Sequence, residues 1–256
     1  MRMRLALLIL LLLPLPAHAA LVRDGAAAVV AIVDGDTLML ETGREVRLVG
    51  LQAPKLPLGR RNFQPWPLAE EAKAALAELA LNRRLTLSYG GARQDRHGRL
   101  LAHLHRAEDG LWIQGEMLRR GLARVYSFPD NRALVAEMLA LEREARAAER
   151  GIWGQPYYRV LDHGEAGQFI DSFQLVEGRV VAAERRGNRA YLNFDQDWRS
   201  DFTVTLDNRA LGLFERAGVD PIALSGKKIR IRGWLKSFNG PAIEATHPEQ
   251  IEVLQE

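Results

Sequence analysis

Short apolar, β-branched runs punctuated by Gly, Asp and charged residues open the chain and predict three strands, Ala26 to Val33, Thr37 to Glu41 and Arg44 to Gly50. Gly43 supplies the turn between the last two. Pro54, Pro57, Gly59, Pro65 and Pro67 then force a loop, after which the spacing becomes helical from Leu68 to Leu81, an Ala/Leu-rich stretch opened by Glu70 and Glu71. Strand patterning returns at Arg83 to Tyr89 and Gly98 to Arg106, and helical patterning at Trp112 to Arg120 and Asn131 to Arg150. Residues 156–170 carry Pro156, Gly164 and Gly167 with no sustained period and read as a linker. Beyond Asp171 strands are predicted at Phe173 to Ala183, Asn188 to Phe194 and Asp201 to Leu206, then a helix at Asn208 to Ala217. Two more follow at Lys228 to Leu235 and Ile251 to Leu254. Three strands, a helix and two strands is the order of a five-stranded OB-like barrel.

The first nineteen residues break this pattern. Arg2 and Arg4 precede an apolar run from Leu5 to Leu13, and Ala17-His18-Ala19 is a small-x-small cleavage site, the three parts of a secretory signal cut after Ala19. The run is short for a membrane span and is broken by Pro14 and Pro16, so the mature protein is expected to be secreted or periplasmic, without membrane insertion. No cysteine is present, which excludes disulfides, thiolate metal sites and a lipid-bearing Cys. The 35 basic and 32 acidic side chains give +3, and removing Arg2 and Arg4 leaves +1. Affinity for polyanions comes from neutralised phosphates, so a near-neutral chain is a poor non-specific binder and any anion site must be local.

Candidate chemistry lies in the first half. Val33-Asp34-Gly35-Asp36-Thr37 is followed by Val46-Arg47-Leu48-Val49-Gly50-Leu51-Gln52-Ala53-Pro54-Lys55 and then by Asp95-Arg96-His97-Gly98-Arg99, with Gly121-Leu122-Ala123 and Arg150-Gly151-Ile152-Trp153 further on. In this order and over roughly residues 21 to 154, the run resembles the staphylococcal nuclease (thermonuclease) family. That family's pattern reads D-G-D-T, V-R-L-x-G-I-D-A-P-E and D-x-x-G-R. The resemblance implies an OB-fold barrel with added helices over residues 20–155, a mainly β protein with α elements, followed by the second OB-like unit over 171–256.

It also implies a phosphodiesterase site. By position, Asp36 matches one calcium ligand, and Arg47 and Arg99 match the two arginines that clamp the phosphate. The second ligand position is Gln52 and the general-base position is Lys55. Calcium affinity depends on the number of anionic ligands, and a Gln amide brings no charge. Asp36 against Arg47, Lys55 and Arg99 sums to +2, a sign that suits phosphate better than a divalent cation. A protonated Lys55 cannot take a proton from water, and losing a positioned base costs about 10² to 10⁴ in rate. Ca2+ is therefore expected, by resemblance alone, to bind weakly or not at all.

Simpler readings stand beside these. Lys55 could be a solvated loop residue, Asp95 could order its own loop, and Glu70 and Glu71 could serve only the helix N-terminus. His103 and His105 share a strand face but lack a third metal ligand. Tyr126 and His97 fall near positions where the family places rings beside the nucleotide, and packing explains them equally well. Arg60 and Arg61 extend the local positive charge or form a solvated pair. In the second unit Lys228, Arg230, Arg232 and Trp234 alternate with Ile229, Ile231 and Leu235, which makes one face a candidate nucleic-acid surface or an ordinary amphipathic strand. Phe194, Trp198 and Phe202 read as core or loop packing rather than as a stacking platform.

Three functions follow from this. The chain acts on nucleic acid as a metal-dependent nuclease with a substitute base, or binds nucleic acid or a phosphorylated small ligand with hydrolysis weak or lost. The third is an envelope scaffold for a protein partner, since fold does not fix function.

Overall fold

The computed structural model describes residues 21–197 and 201–255. The predicted signal segment and Trp198 lie outside them. Strands β1 (Val22–Asp34), β2 (Thr37–Leu40), β3 (Glu45–Leu48), β5 (Arg84–Tyr89) and β6 (Leu100–Arg106) close into a barrel of order β1-β2-β3-β6-β5. Every neighbour pair is antiparallel except β3 with β6, which is parallel. A residue-by-residue alternation fills its interior: Leu38 and Leu40, Val46 and Leu48, Leu85 and Leu87, Ala102 and Leu104 all point inward and are buried. Gly43 adopts φ 74° at the predicted turn.

Helix α1 (Ala69–Ala80) buries Ala72, Leu76 and Leu79, an i, i+4, i+7 stripe, against the barrel. The helix lies so close to the β1–β2 turn that a Cβ on Gly35 would sit 2.7 Å from Ala53 Cβ and 2.8 Å from Ala72 Cβ. Glycine in the D-G-D-T motif is thus required by helix packing, with no left-handed φ involved. Helices α2 (Ile113–Arg119) and α3 (Val135–Ala147) complete the unit. Buried Gln114 of α2 accepts from Leu104 N–H at 3.0 Å and donates to Ala102 C=O at 2.7 Å, which satisfies backbone groups of β6. The two-residue strands β4 (Leu51–Gln52) and β7 (Arg124–Val125) pair antiparallel and are too short to register as sequence patterns.

The predicted linker has structure of its own. Between Pro156 and Phe169 the chain forms two 3₁₀ turns around β8 (Leu161–Asp162), which pairs in parallel with β9 (Phe173–Arg179). Tyr158, Leu161 and Ala166 are buried there. The second sheet adds β10 (Ala182–Arg186), β11 (Arg189–Asn193), β12 (Thr203–Leu206), β13 (Lys228–Ser237), β14 (Pro241–Glu244) and β15 (Ile251–Val253). Its order is β10-β11-β12-β14-β13-β9-β8, with β15 on β13, and its strands pair antiparallel except for β12 with β14 and β8 with β9. With β9 and β10 taken as two halves of one bent strand, this repeats the order of the first barrel, and helix α4 (Asn208–Arg216) lies between β12 and β13 where α1 lies between β3 and β5. The sequence pattern missed β14, a four-residue strand that follows Asn239-Gly240 and opens on Pro241. Phe194 and Phe202 are core, as expected.

The two units are fastened by charge. Arg232 of β13 is fully buried and pairs with both oxygens of Glu142 of α3, at 2.9 Å each, and with Glu252 of β15 at 2.6 Å. Glu142 also accepts from Val125 N–H at 2.6 Å and from Arg146 at 3.0 Å. Arg132 and Glu249 form a second bridge across the units at 2.7 Å, and Ser127 Oγ lies 2.7 Å from His247 Nε2.

Candidate functional site

Asp36 is the last residue of the β1–β2 turn, immediately before β2 and fully buried, and four groups converge on it. Its Oδ1 accepts from Arg47 Nη1 at 2.7 Å and from Thr37 Oγ1 at 3.2 Å. Its Oδ2 accepts from Ala53 N–H at 2.9 Å and from Lys55 Nζ at 2.5 Å. Residues 36 and 37 and Arg47 come together because Thr37 and Arg47 are direct cross-strand partners of β2 and β3. Burial would raise the Asp36 carboxyl, but Arg47 and Lys55, aided by the hydrogen bonds from Lys55 and Ala53 N–H, hold it well below the ordinary carboxylate range.

Lys55 therefore points into the site. Its Nζ also lies 3.5 Å from Asp34 Oδ2, so one ammonium bridges two carboxylates. The reading of Lys55 as a solvated loop residue is overturned. The Asp34 carboxyl is pushed up by burial and by the neighbouring Asp36 charge, against the pull of Lys55. The expected sum of +2 omitted Asp34 and Asp95. With both counted, three carboxylates face Arg47, Lys55 and Arg99, and Arg96 and Asp130, which line the same cleft, offset one another, so the formal sum is zero rather than +2.

Gln52 lines the cleft with its amide oxygen already engaged. Its Oε1 accepts from Arg124 Nε at 3.1 Å and Nη2 at 2.8 Å. Arg124 is buried at 5% exposure, with its guanidinium 4.7 Å from the Phe173 ring centre, and burial pushes it down to about 10 despite the favourable tyrosine and Glu142 fields. Nothing local in the sequence marked Arg124 as this partner, which lies 72 positions from Gln52. The residues present do not fit a divalent ion at the family's calcium position. An ammonium occupies the approach to Asp36 and Asp34, the amide oxygen of Gln52 is engaged by Arg124, and among the described residues no group of three or more His, Cys, Asp and Glu side chains is placed to hold a metal.

Asp95 orders its loop, accepting from the N–H groups of His97 at 2.8 Å and Arg99 at 3.0 Å. It also holds Arg99 through Nε at 2.8 Å and Nη2 at 2.7 Å. Burial would raise this carboxyl, but these bonds and the Arg99 charge lower it on balance. One cleft of about 650 Å³ is lined by Arg47, Gln52, Lys55, Arg99, His97 and Tyr126, so the sequence-predicted residues of the first unit do converge, apart from Asp36 beneath its floor. Arg60 lies elsewhere, bonded to Leu56 and Pro57 carbonyls and lying over the Phe63 ring. Glu70 and Glu71 are exposed at the helix start. His103 and His105 pack on Trp112, at ring separations of 5.9 and 6.3 Å.

The charged face proposed on β13 is corrected. Arg232 is buried between Glu142 and Glu252, Arg230 pairs with Glu177 and lies 3.7 Å from Glu252, and Lys228 lies 3.8 Å from Glu177. Arg230 and Arg232 are consumed by carboxylates within and between the units, and Lys228 is half exposed beside Glu177. Trp234 alone of the four reaches the cleft, where its Nε1 donates to Tyr126 Oη at 2.9 Å.

A family model described as staphylococcal nuclease homologue matches residues 45–155, which takes in Arg47, Gln52, Lys55, Asp95 and Arg99 but begins after Asp36. Protein ParB of Escherichia coli is 32% identical over 139 residues, covering 50% of this chain and 72% of that protein. The chain belongs to the staphylococcal nuclease family. Among other relatives, the probable staphylococcal-like nuclease CAN1 of Oryza sativa subsp. japonica is 26% identical over 133 residues, 52% of this chain and 35% of its own length. An uncharacterized protein of Methanocaldococcus jannaschii, MJ1439, is 27% identical over 146 residues, 49% of this chain and 70% of its length. The five-stranded barrel closes around the matched residues, with β1 and β2 ahead of them, and the second sheet lies beyond them.

Proposed function

We propose that this staphylococcal nuclease family member is an exported protein that binds nucleic acid or a phosphorylated small ligand through Arg47, Arg99 and Lys55, with phosphodiester hydrolysis weak or lost. The observation that carries the reading is the Lys55 ammonium, 2.5 Å from Asp36 Oδ2 and 3.5 Å from Asp34 Oδ2. A tethered cation there neutralises the carboxylates that would otherwise draw a divalent ion, and it costs no metal-binding step. It is also a donor group at the position where the family's pattern has a Glu, so no side chain at that position accepts a proton from water.

Phosphate recognition is retained in kind. Arg99 spends Nε and Nη2 on Asp95, leaving Nη1, and Lys55 and Arg47 present further donors around the same cleft. Planar guanidinium groups bind phosphate oxygens in pairs, which suits a phosphodiester or a terminal phosphate. The carboxylates already paired with these cations make binding a competition, so affinity depends on local geometry rather than on bulk charge.

The test is a cleavage and binding pair on the purified full chain. Single-stranded and duplex DNA and RNA are incubated with calcium, with other divalent ions and with chelator, and a nucleoside bisphosphate is titrated in chelator. The expected result is metal-independent binding without calcium-dependent cleavage, and cleavage gained in Gln52→Asp, Lys55→Glu. Calcium-dependent cleavage by the unaltered chain, abolished in Arg99→Ala, would overturn the reading.

A further inference from the structure

Trp234 belongs to the second unit yet lies at the rim of the first unit's cleft, and it is 45% exposed. A tryptophan serving only to dock two domains would be covered. Its indole N–H is satisfied by Tyr126 Oη at 2.9 Å, which fixes the ring and leaves its face open. Tyr126 is held edge-on by Phe173 and Phe128, both at 4.8 Å between ring centres, and Phe128 is itself 44% exposed. Three rings, two of them nearly half exposed, thus line the same cleft as Arg47, Lys55 and Arg99.

The placement of Trp234 is built in by the buried charges two residues earlier. Arg232 and Trp234 lie on the same face of β13, and Val125 and Tyr126 are consecutive on β7 and its exit. Arg232 grips Glu142, Glu142 takes the Val125 N–H, and Arg232 Nη1 also reaches Val125 C=O at 3.4 Å. The ion cluster therefore sets the register in which Trp234 meets Tyr126. Between them, a Cβ on Gly233 would lie 2.4 Å from Ile243 Cγ2, so the strand packs tightly at this point and the ring has little room to drift.

We propose that Trp234, carried by the second unit and outside the residues matched by the family, adds a nucleobase-stacking face to the phosphate cleft beside Tyr126. This rests on the phosphate-binding reading above. Cations beside open aromatic faces are the combination by which proteins hold single-stranded nucleic acid, the cations on phosphates and the rings on bases. The cleft volume of about 650 Å³ is in the range of small-ligand sites and accommodates a nucleotide. The occupant is a base-bearing nucleotide, single-stranded because in a duplex both faces of each base are covered by its stacked neighbours.

The test compares two matched probes on the full chain in chelator, thymidine 3′,5′-bisphosphate and the corresponding deoxyribose bisphosphate lacking the base. The unaltered protein is expected to prefer the base-bearing probe by roughly five- to a hundredfold, the range of one base–ring stack. Trp234→Ala is expected to reduce that preference by at least about fivefold while its affinity for the base-free probe stays the same, and Trp234→Phe to keep most of it. Retained base-free binding by Trp234→Ala also shows that the variant folds. The subsite is overturned if the unaltered protein does not discriminate between the probes, if Trp234→Ala leaves discrimination intact, or if it weakens both probes equally. If the unaltered protein binds neither probe, the phosphate-binding reading itself fails and the subsite falls with it.

Discussion

Replacing Lys55 by Ala tests whether its ammonium takes the part of a metal ion. In the native arrangement Asp34 and Asp36 are balanced by Lys55 and Arg47. The substitution leaves two carboxylates, with Asp36 fully buried, against one guanidinium. Removing one partner from a buried pair costs about 3–5 kcal/mol. Lys55 keeps 18% of its side chain exposed and Asp36 keeps Arg47, Thr37 and the Ala53 N–H, so we expect about 2–3 kcal/mol. For a chain of this size that lowers Tm by about 4–12 °C. The vacated position should then accept calcium with a Kd of about 1 mM, typical of weak sites with few anionic ligands. At about 10 mM calcium the recovery is RT ln 11, about 1.4 kcal/mol, or about 3–6 °C. Thermal melts of the unaltered chain and of Lys55→Ala in calcium and in chelator measure both numbers. The unaltered chain is expected to be indifferent to calcium. The reasoning fails if calcium raises both melting temperatures equally, or if Lys55→Ala is as stable as the unaltered chain and still unresponsive. Asp36 supplies an acid limb to the same experiment. Its folded pKa lies below the ordinary 3.8, so its contribution is complete above about pH 4 and is lost as pH falls through the depressed value; Lys55→Ala shortens that loss.

Two further outcomes follow from the contacts between the units. Arg232→Ala strands Glu142 in a fully buried position and is expected to cost about 3–5 kcal/mol in denaturant unfolding; a loss below about 1 kcal/mol would show that the ion cluster does not couple the units. His247, buried beside Ser127 and Thr246, is pushed down to about 4 by burial, against the opposing pull of Glu249. A histidine held neutral in the fold binds fewer protons than in the unfolded chain, so its stabilisation is present above about pH 6.5 and is lost as pH falls towards 4. Buried His103, also pushed down to about 4, adds to the same limb, and His247→Gln should flatten the stability profile between those values by up to about 3 kcal/mol; an unchanged profile would contradict it.

The sequence by itself determined the barrel. Inward and outward positions alternate along each strand, so Leu38 and Leu40 or Val46 and Leu48 declare their face without reference to anything distant. It determined that Asp36 and Arg47 meet, because a hairpin turning at Gly43 sets Thr37 opposite Arg47, and it located Arg99, His97 and Tyr126 around one cleft through the family's spacing. The tertiary structure decided the partners. Periodicity placed Lys228, Arg230, Arg232 and Trp234 on one strand face, but a face that meets solvent and a face that meets another domain's carboxylates have the same period. Only the docking of α3 against β13 buries Arg232 on Glu142, 90 positions away, and leaves Trp234 at the cleft. The same holds for Gln52, whose amide is turned by a buried Arg124, and for Lys55, whose flexible stem has no local pattern to fix its direction. Strand and helix faces are set by backbone repeats of two and 3.6 residues and can be read locally; the choice of a counter-ion is set by desolvation and by whichever opposite charge the fold brings within about 4 Å, and that is a property of the assembled chain.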